Sequence, residues 1–117
     1  MRFAVAALLA VLAAPTAFAS IEDRCQEPFG PVVPDGNTAT QAEMRAAKVQ
    51  VLNFIKDSDS FQSCVVLVID DPKEEMKEPE KKSAMKKLEA NQREKEAVAA
   101  AYNNALKVFK ARGLSLE

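Results

Sequence analysis

The sequence has no histidine and no tryptophan, and it has only one tyrosine and three glycines among its 117 residues. The lack of histidine excludes Ser-His-Asp and Cys-His catalytic arrangements and every zinc site that needs an imidazole. Three scattered glycines are too few for a glycine-rich loop that binds phosphate. We therefore expect no catalytic residue, no metal site and no cofactor, and we expect that the protein is not an enzyme.

An excess of charge of one sign is also absent. The chain has 16 basic and 17 acidic residues, for a net charge of −1. This balance is not that of a protein that binds nucleic acid through a basic surface. Both signs are mixed in a charged stretch over about residues 70–96, which indicates a solvated linker and helix surface rather than a site for a polyanion.

The longest apolar run lies at the N-terminus. Arg2 precedes the apolar residues 3–14, Pro15 ends the run, and Ala17-Phe18-Ala19 has the small-residue pattern of a cleavage site. These features are typical of a secretory signal peptide over residues 1–19. A membrane anchor needs about 20 apolar residues, which is more than this run supplies. We expect cleavage near Ala19, a periplasmic or secreted protein, and no membrane span in the mature chain.

The chain has two cysteines, Cys25 and Cys64. In an oxidising compartment two cysteines usually form one bridge, and here only one pairing is available. A disulfide that closes a loop of about 40 residues stabilises the folded state by about 4 kcal/mol. A redox-active pair is the alternative, but such pairs normally lie close together as Cys-x-x-Cys.

Local signals predict an all-α fold, a two-helix antiparallel hairpin with an extended arm. Thr40 and Glu43 form a capping box, and Asp71-Pro72 ends the first helix. Pro79 suits the first turn of a second helix, and Gly113 suits its end. The predicted segments are a Pro-rich arm over 20–39, helices over about 41–71 and 79–112 within a domain over 40–112, a charged linker over about 70–82, and a tail over 113–117.

A heptad of apolar residues predicts how the two helices pack as a short coiled coil. In the first helix the stripe contains Met44, Ala47, Val51, Phe54, Phe61, Val65 and Val68, and in the second it contains Met85, Leu88, Ala99, Tyr102, Leu106 and Phe109. Antiparallel pairing places Ser58 opposite Lys95, with Asp57 and Asp59 alongside. We interpret these four residues as a polar layer, which either fixes the register of the helices or forms a ligand site.

The conformation of residues 65–69 and the path of the arm are less directly determined by local signals. Residues 65–69 are β-branched apart from Leu67, so a buried strand is the alternative to helix there. The arm contains three prolines and is long enough to run back along the first helix. We expect it to place Phe29, Val32 and Val33 on the edge of that helix formed by Phe54, Phe61 and Val68, and so to thicken a thin core.

The residues from Cys25 to Cys64 also carry a resemblance. Cys25, the prolines of the arm, Pro34-Asp35-Gly36, Glu43-Met44 and the Phe61-x-x-Cys64 spacing are followed later by Tyr102-Asn103-Asn104. In this pattern the chain resembles small exported helical proteins of the periplasm of Gram-negative bacteria. The resemblance implies an architecture of arm, helix, bridge and helix, and it implies no activity and no functional residue.

Four apolar residues of the first helix, Val49, Leu52, Val66 and Leu67, lie off the heptad stripe, and nothing in the chain is assigned to cover them. An uncovered apolar patch indicates an interface. The leading hypothesis is therefore a small interaction protein that self-associates or binds a protein of the cell envelope. A periplasmic inhibitor or a chaperone-like holdase is the alternative, with Met44, Met76 and Met85 as adaptable contacts; an enzyme is the second alternative.

Overall fold

The computed structural model describes residues 21–117. The predicted signal peptide over 1–19 lies outside the described residues. Residues 21–117 form three helices and no strand: the short α1 (Ile21–Arg24) and the long α2 (Gln41–Ile69) and α3 (Glu78–Ala111). The all-α class is confirmed, and the two long helices α2 and α3 pack together as a hairpin. None of these three helices is long and apolar enough to cross a membrane.

Helix α2 begins at the capping box and extends through its β-branched C-terminal turn. Glu43 N–H donates to Thr40 Oγ1 at 3.1 Å, and Thr40 N–H donates to the Glu43 carboxylate at 3.0 Å. The strand alternative for residues 65–69 is wrong, because Val65 and Val68 continue the buried stripe of the helix. The helix ends at Ile69 rather than at residue 71, since Asp70 is already its C-terminal cap.

Helix α3 starts earlier than the charged linker suggests. It begins at Glu78, with Pro79 in its first turn, so residues 78–82 belong to the helix and only residues 70–77 connect it to α2. The helix ends at Ala111. Gly113 follows with φ of 80°, the left-handed conformation that a glycine adopts most easily after a helix.

The core consists of two apolar clusters separated by a polar layer. One cluster, near the connection between the long helices, contains Ile21, Cys25, Phe61, Val65, Val68 and Ala84. The other, near the start of α2 and the end of α3, contains Ala39, Met44, Ala47, Val51, Tyr102 and Phe109. Ser58 and Asn91 are the buried polar residues and lie between the two clusters along the helices.

The predicted stripe of α3 is wrong at Met85. Met85 is 47% exposed, while Ala84 and Asn91 are buried at the helix contact. The fully buried residues in this half thus lie one position earlier than predicted, although Leu88 still packs against the first cluster. In the C-terminal half Tyr102 and Phe109 are buried as predicted, and Leu106 packs against the second cluster. A straight helix drifts by about 20° per heptad, so one register does not hold over its whole length. Small Ala84 also leaves room for Ile21 and Cys25 in the same cluster.

The arm begins with a helical turn, where the sequence predicts an extended segment. In α1 the Cys25 N–H donates to the Ile21 carbonyl at 2.7 Å, and Ile21 is buried in the first cluster. The predicted disulfide between Cys25 and Cys64 is present, with a Cα–Cα distance of 5.7 Å. Arg24 pairs with Glu74 in the connection between the long helices. Tertiary contacts thus stabilise a helix that is too short to form alone.

The remainder of the arm contacts α3 as well as α2, which corrects the predicted packing. Phe29 and Val32 are 93% and 91% exposed, and Val33 packs against the second cluster instead of Phe61 and Val68. Prolines favour an extended backbone with three residues per turn. In agreement with that spacing, Gly30 and Val33 are half-buried and Gly36, in the turn at 36–38, is buried, while Phe29 and Val32 face outward.

Glycines at two of these inward positions allow the arm to approach α3. A Cβ atom on Gly36 would lie 2.1 Å from the Ala105 carbonyl oxygen, and one on Gly30 would lie 2.8 Å from Glu94 Oε1. The end of the arm is also fixed by Arg112, whose guanidinium donates to the carbonyls of Gly36 at 3.1 Å and Ala39 at 2.8 Å. The arm is therefore attached at both ends, by the disulfide and by Arg112.

Candidate functional site

The surface of α2 that faces away from the core carries exposed apolar side chains. The exposed fractions are 58% for Val49, 56% for Leu52, 45% for Val66 and 72% for Leu67. Helix α2 has a buried stripe of seven-residue periodicity, and these residues lie one to two positions after its members. The structure thus brings the four predicted interface residues to one outward surface of a single helix, at its two ends.

A helical hairpin has two grooves between its helices, and they differ here. The arm lies along one groove, where Gly30 N–H donates to Glu94 Oε1 at 3.2 Å and Gly36 meets the backbone of Ala105. The other groove is open, with a volume of about 1040 Å³. The apolar residues that line it are Val66 and Leu67 of α2 and Leu88 of α3. The polar residues that line it are Asp59, Gln62, Ser63, Glu89, Gln92 and Arg93. The outward surface of α2 therefore continues into an uncovered groove.

Comparison of the chain with protein-family models, with curated proteins and with solved structures finds no match. The resemblance to exported proteins of Gram-negative bacteria therefore stays a prediction. The candidate site rests on the geometry of residues 21–117 alone.

The polar layer contains Ser58, as predicted, together with two residues that the prediction did not include. Asn91 Nδ2 donates to Ser58 Oγ at 3.3 Å, and Gln62 Nε2 donates to Asn91 Oδ1 at 2.9 Å. Lys95 forms an ion pair of 2.7 Å with Asp59 at the solvent-exposed edge of this layer. Ser58 is fully buried and hydrogen-bonded, so the layer has the character of a register-fixing contact within the core.

Asp57 takes no part in that layer. It is exposed and lies on the side of α2 that faces the arm, near Pro28 and Phe61. Asn91 and Gln62 are the residues that the sequence reasoning missed. Asn91 lies one heptad after Ala84, so a stripe placed one residue earlier would have identified it.

Lys87 and Tyr102 have shifted pKa values, and each takes part in packing within the fold. A hydrogen bond to Glu22 raises the pKa of Lys87, with further attraction from the carboxylates of Glu22 and Glu27. Burial raises the pKa of the Tyr102 phenol, whose hydroxyl is buried without a hydrogen-bond partner. Lys87 joins the arm to α3, and Tyr102 belongs to the second cluster.

The described residues offer little to a metal ion. Residues 21–117 contain no group of three or more Cys, Asp or Glu side chains placed to hold one. Asp59 is paired with Lys95, and Ser58 is buried against Asn91. On the outward surface of α2, the exposed charged residues Lys56 and Asp59 lie between the apolar ends.

The three methionines of the holdase hypothesis do not form one surface. Met44 is fully buried in the second cluster, Met76 packs against the first cluster, and Met85 is about half exposed. By contrast, Phe29 and Val32, which the sequence predicts to pack on the edge of the first helix, add exposed apolar area on the arm. Phe29 and Val32 lie beside the groove that the arm occupies. They are therefore separate from the outward surface of α2.

Proposed function

We propose that the protein is a small, non-catalytic interaction protein of the periplasm or the secreted fraction, and that the outward surface of α2 is its contact surface. The observation that carries this proposal is the exposure of Val49, Leu52, Val66 and Leu67 on one helix. Apolar side chains that gather on one surface and are left uncovered by residues 21–117 are typical of a protein interface.

The disulfide supports the proposed location. Bridges persist in secreted and periplasmic proteins and are rare in a reducing cytosol. The Cys25–Cys64 bridge ties the arm to α2, and the first cluster is built around it. This agrees with the apolar N-terminal segment as a signal peptide and with the resemblance to exported proteins of Gram-negative bacteria.

The inhibitor or holdase remains the second candidate for the same surface. The exposed Leu67, Val66 and the open groove beside them would suit an apolar segment of a client. Met44, however, is buried and does not contribute adaptable contacts. Suppression of client aggregation by the wild-type protein, lost on Leu67→Asp, would favour this candidate.

Site-specific photo-crosslinking in the producing cell tests the proposal. A benzophenone amino acid at Leu52 or Leu67 should give a defined protein adduct. The same amino acid at Lys107, an exposed residue of α3, provides the matched control and should give none. Absence of an adduct at both Leu52 and Leu67, or the same adducts at Lys107, would contradict an interface at this surface.

A further inference from the structure

We propose that the outward surface of α2 binds the same surface of a second copy of this chain, so that the two α2 helices pair antiparallel around a two-fold axis between Lys56 and Asp59. This inference rests on the proposed function and identifies the partner. It follows from the order of apolar and charged residues along one exposed stripe of the helix.

The stripe, which we call the outward seam, has the spacing of a coiled coil. Its residues recur at alternating intervals of three and four, and every one of them is exposed. From the N-terminal end they are Val49, Leu52, Lys56, Asp59, Ser63 and Val66. Such spacing keeps one edge of a helix facing a partner helix over several turns.

The seam is complementary to itself when it is reversed. Antiparallel pairing around the proposed axis places Val49 against Val66 of the second copy and Leu52 against Ser63. At the centre it places Lys56 against Asp59, and by symmetry the same ion pair forms twice. An isologous contact of this kind closes as a dimer and does not propagate.

The charges favour this orientation over the parallel one. A parallel pair in register would place Lys56 against Lys56 and Asp59 against Asp59, and like charges in contact oppose association. The ends of the seam repeat the pattern, because Arg45 and Asp70 come to the same level in the antiparallel pair. Arg45 also donates to the Leu116 carbonyl of the tail, so the central pair carries the argument.

The ion pair within the chain is compatible with the pair between chains. Asp59 accepts from Lys95 at 2.7 Å, yet its side chain is 60% exposed. A carboxylate has acceptor positions for several donors, so Asp59 is able to bind Lys95 and the Lys56 of a second copy together. Lys95 in turn holds the carboxylate of this seam residue in place.

Sedimentation equilibrium of the purified protein, with its disulfide formed, tests the pairing. Lys56→Glu and Asp59→Lys each place like charges across the axis twice, and each should raise the Kd of the dimer at least about tenfold. An equal mixture of the two variants should dimerise again, because both central pairs become attractive in the mixed dimer. Loss of folding in either variant would not produce such recovery. Lys107→Glu makes the same charge change away from the seam and should leave the Kd unchanged.

Two outcomes would overturn the pairing. One is a wild-type protein that remains monomeric up to about 500 µM, a range that would reveal even a weak dimer. The other is a dimer whose Kd is indifferent to Lys56→Glu and to Asp59→Lys. Neither result decides the proposed function. A photo-adduct between Leu67 and a different protein would support an interface at this surface and would show that its partner is not a second copy of this chain.

Discussion

The side-chain amide of Asn91 donates a hydrogen bond of 3.3 Å to Ser58 Oγ, and both side chains are buried between the two apolar clusters. Gln62 donates to the same Asn91 from the partly exposed edge. This contact joins α2 to α3 at one level, because a shift of either helix would leave a buried polar group without its partner.

The first prediction concerns this pair. Asn91→Leu should destabilise the protein by about 1–3 kcal/mol, because it leaves the Ser58 hydroxyl buried and unpaired. Ser58→Ala together with Asn91→Leu should cost less than the two single changes added together, since both partners are then apolar. Urea denaturation of the four proteins measures this coupling. Strict additivity would show that the two side chains do not depend on each other.

The second prediction concerns the close approach of the arm to α3. Gly36→Ala should destabilise the protein by about 1–3 kcal/mol, because the added methyl group would overlap the backbone of Ala105. Gly30→Ala is the matched control: the nearest atom there is the end of the flexible Glu94 side chain, so its cost should be smaller. Thermal unfolding of both variants provides the comparison. Equal shifts in Tm would contradict the described packing of the arm.

The third prediction concerns the disulfide. Cys25→Ala with Cys64→Ala should lower the free energy of unfolding by about 4 kcal/mol, as expected for the loss of a loop of about 40 residues. Ile21 and Cys25 belong to the first cluster, so amide exchange should accelerate most in residues 21–30 and less around Met44 and Phe109. Hydrogen exchange with mass spectrometry measures both regions. Uniform loss of protection along the chain would argue against a local attachment of the arm.

The fourth prediction concerns Tyr102 at alkaline pH. Burial raises the pKa of its phenol in the folded state. The unfolded chain ionises near the ordinary tyrosine pKa of about 10 while the folded protein does not, so stability is complete below that pH and falls as pH rises above it. Lys87, whose pKa is also raised, contributes a loss in the same direction.

Tyr102→Phe separates the two contributions. At pH near neutrality the variant should be as stable as the wild type or slightly more so, because the buried hydroxyl has no partner to lose. Between about pH 8 and 11 the variant should lose less stability than the wild type, with the Lys87 contribution remaining. Denaturant titrations of both proteins at about pH 8 and pH 11 measure the free energy of unfolding. An equal decrease in the two proteins would show that Tyr102 does not cause the loss of stability at alkaline pH.

The helices and the disulfide could be predicted from the sequence. The helices depend on local chemistry, and two cysteines leave no choice of pairing. The Thr40–Glu43 capping box fixes the start of α2, and two cysteines allow one pairing. Which residues of α3 form its buried stripe could not be predicted in the same way. Whether Met85 or Ala84 is buried depends on the residues that pack against this part of the helix. Ile21 and Cys25 occupy that space, and they arrive there only through the fold.

The candidate surface shows the same division. That Val49, Leu52, Val66 and Leu67 lie off the buried stripe follows from helical periodicity alone. Whether anything else in the chain covers them depends on where the arm lies. The structure places the arm in the opposite groove, with Gly36 against Ala105 and Arg112 across its end.

The sequence by itself thus determined the helical class, the disulfide and the identity of the apolar residues, because periodicity, capping and cysteine number are properties of the chain. Only the tertiary structure decided the path of the arm, the partnership of Ser58 with Asn91 and the exposure of Phe29 and Val32. These depend on close contacts between residues far apart in the sequence, where one methyl group or a rotation of a fraction of a helical turn selects which side chain is buried.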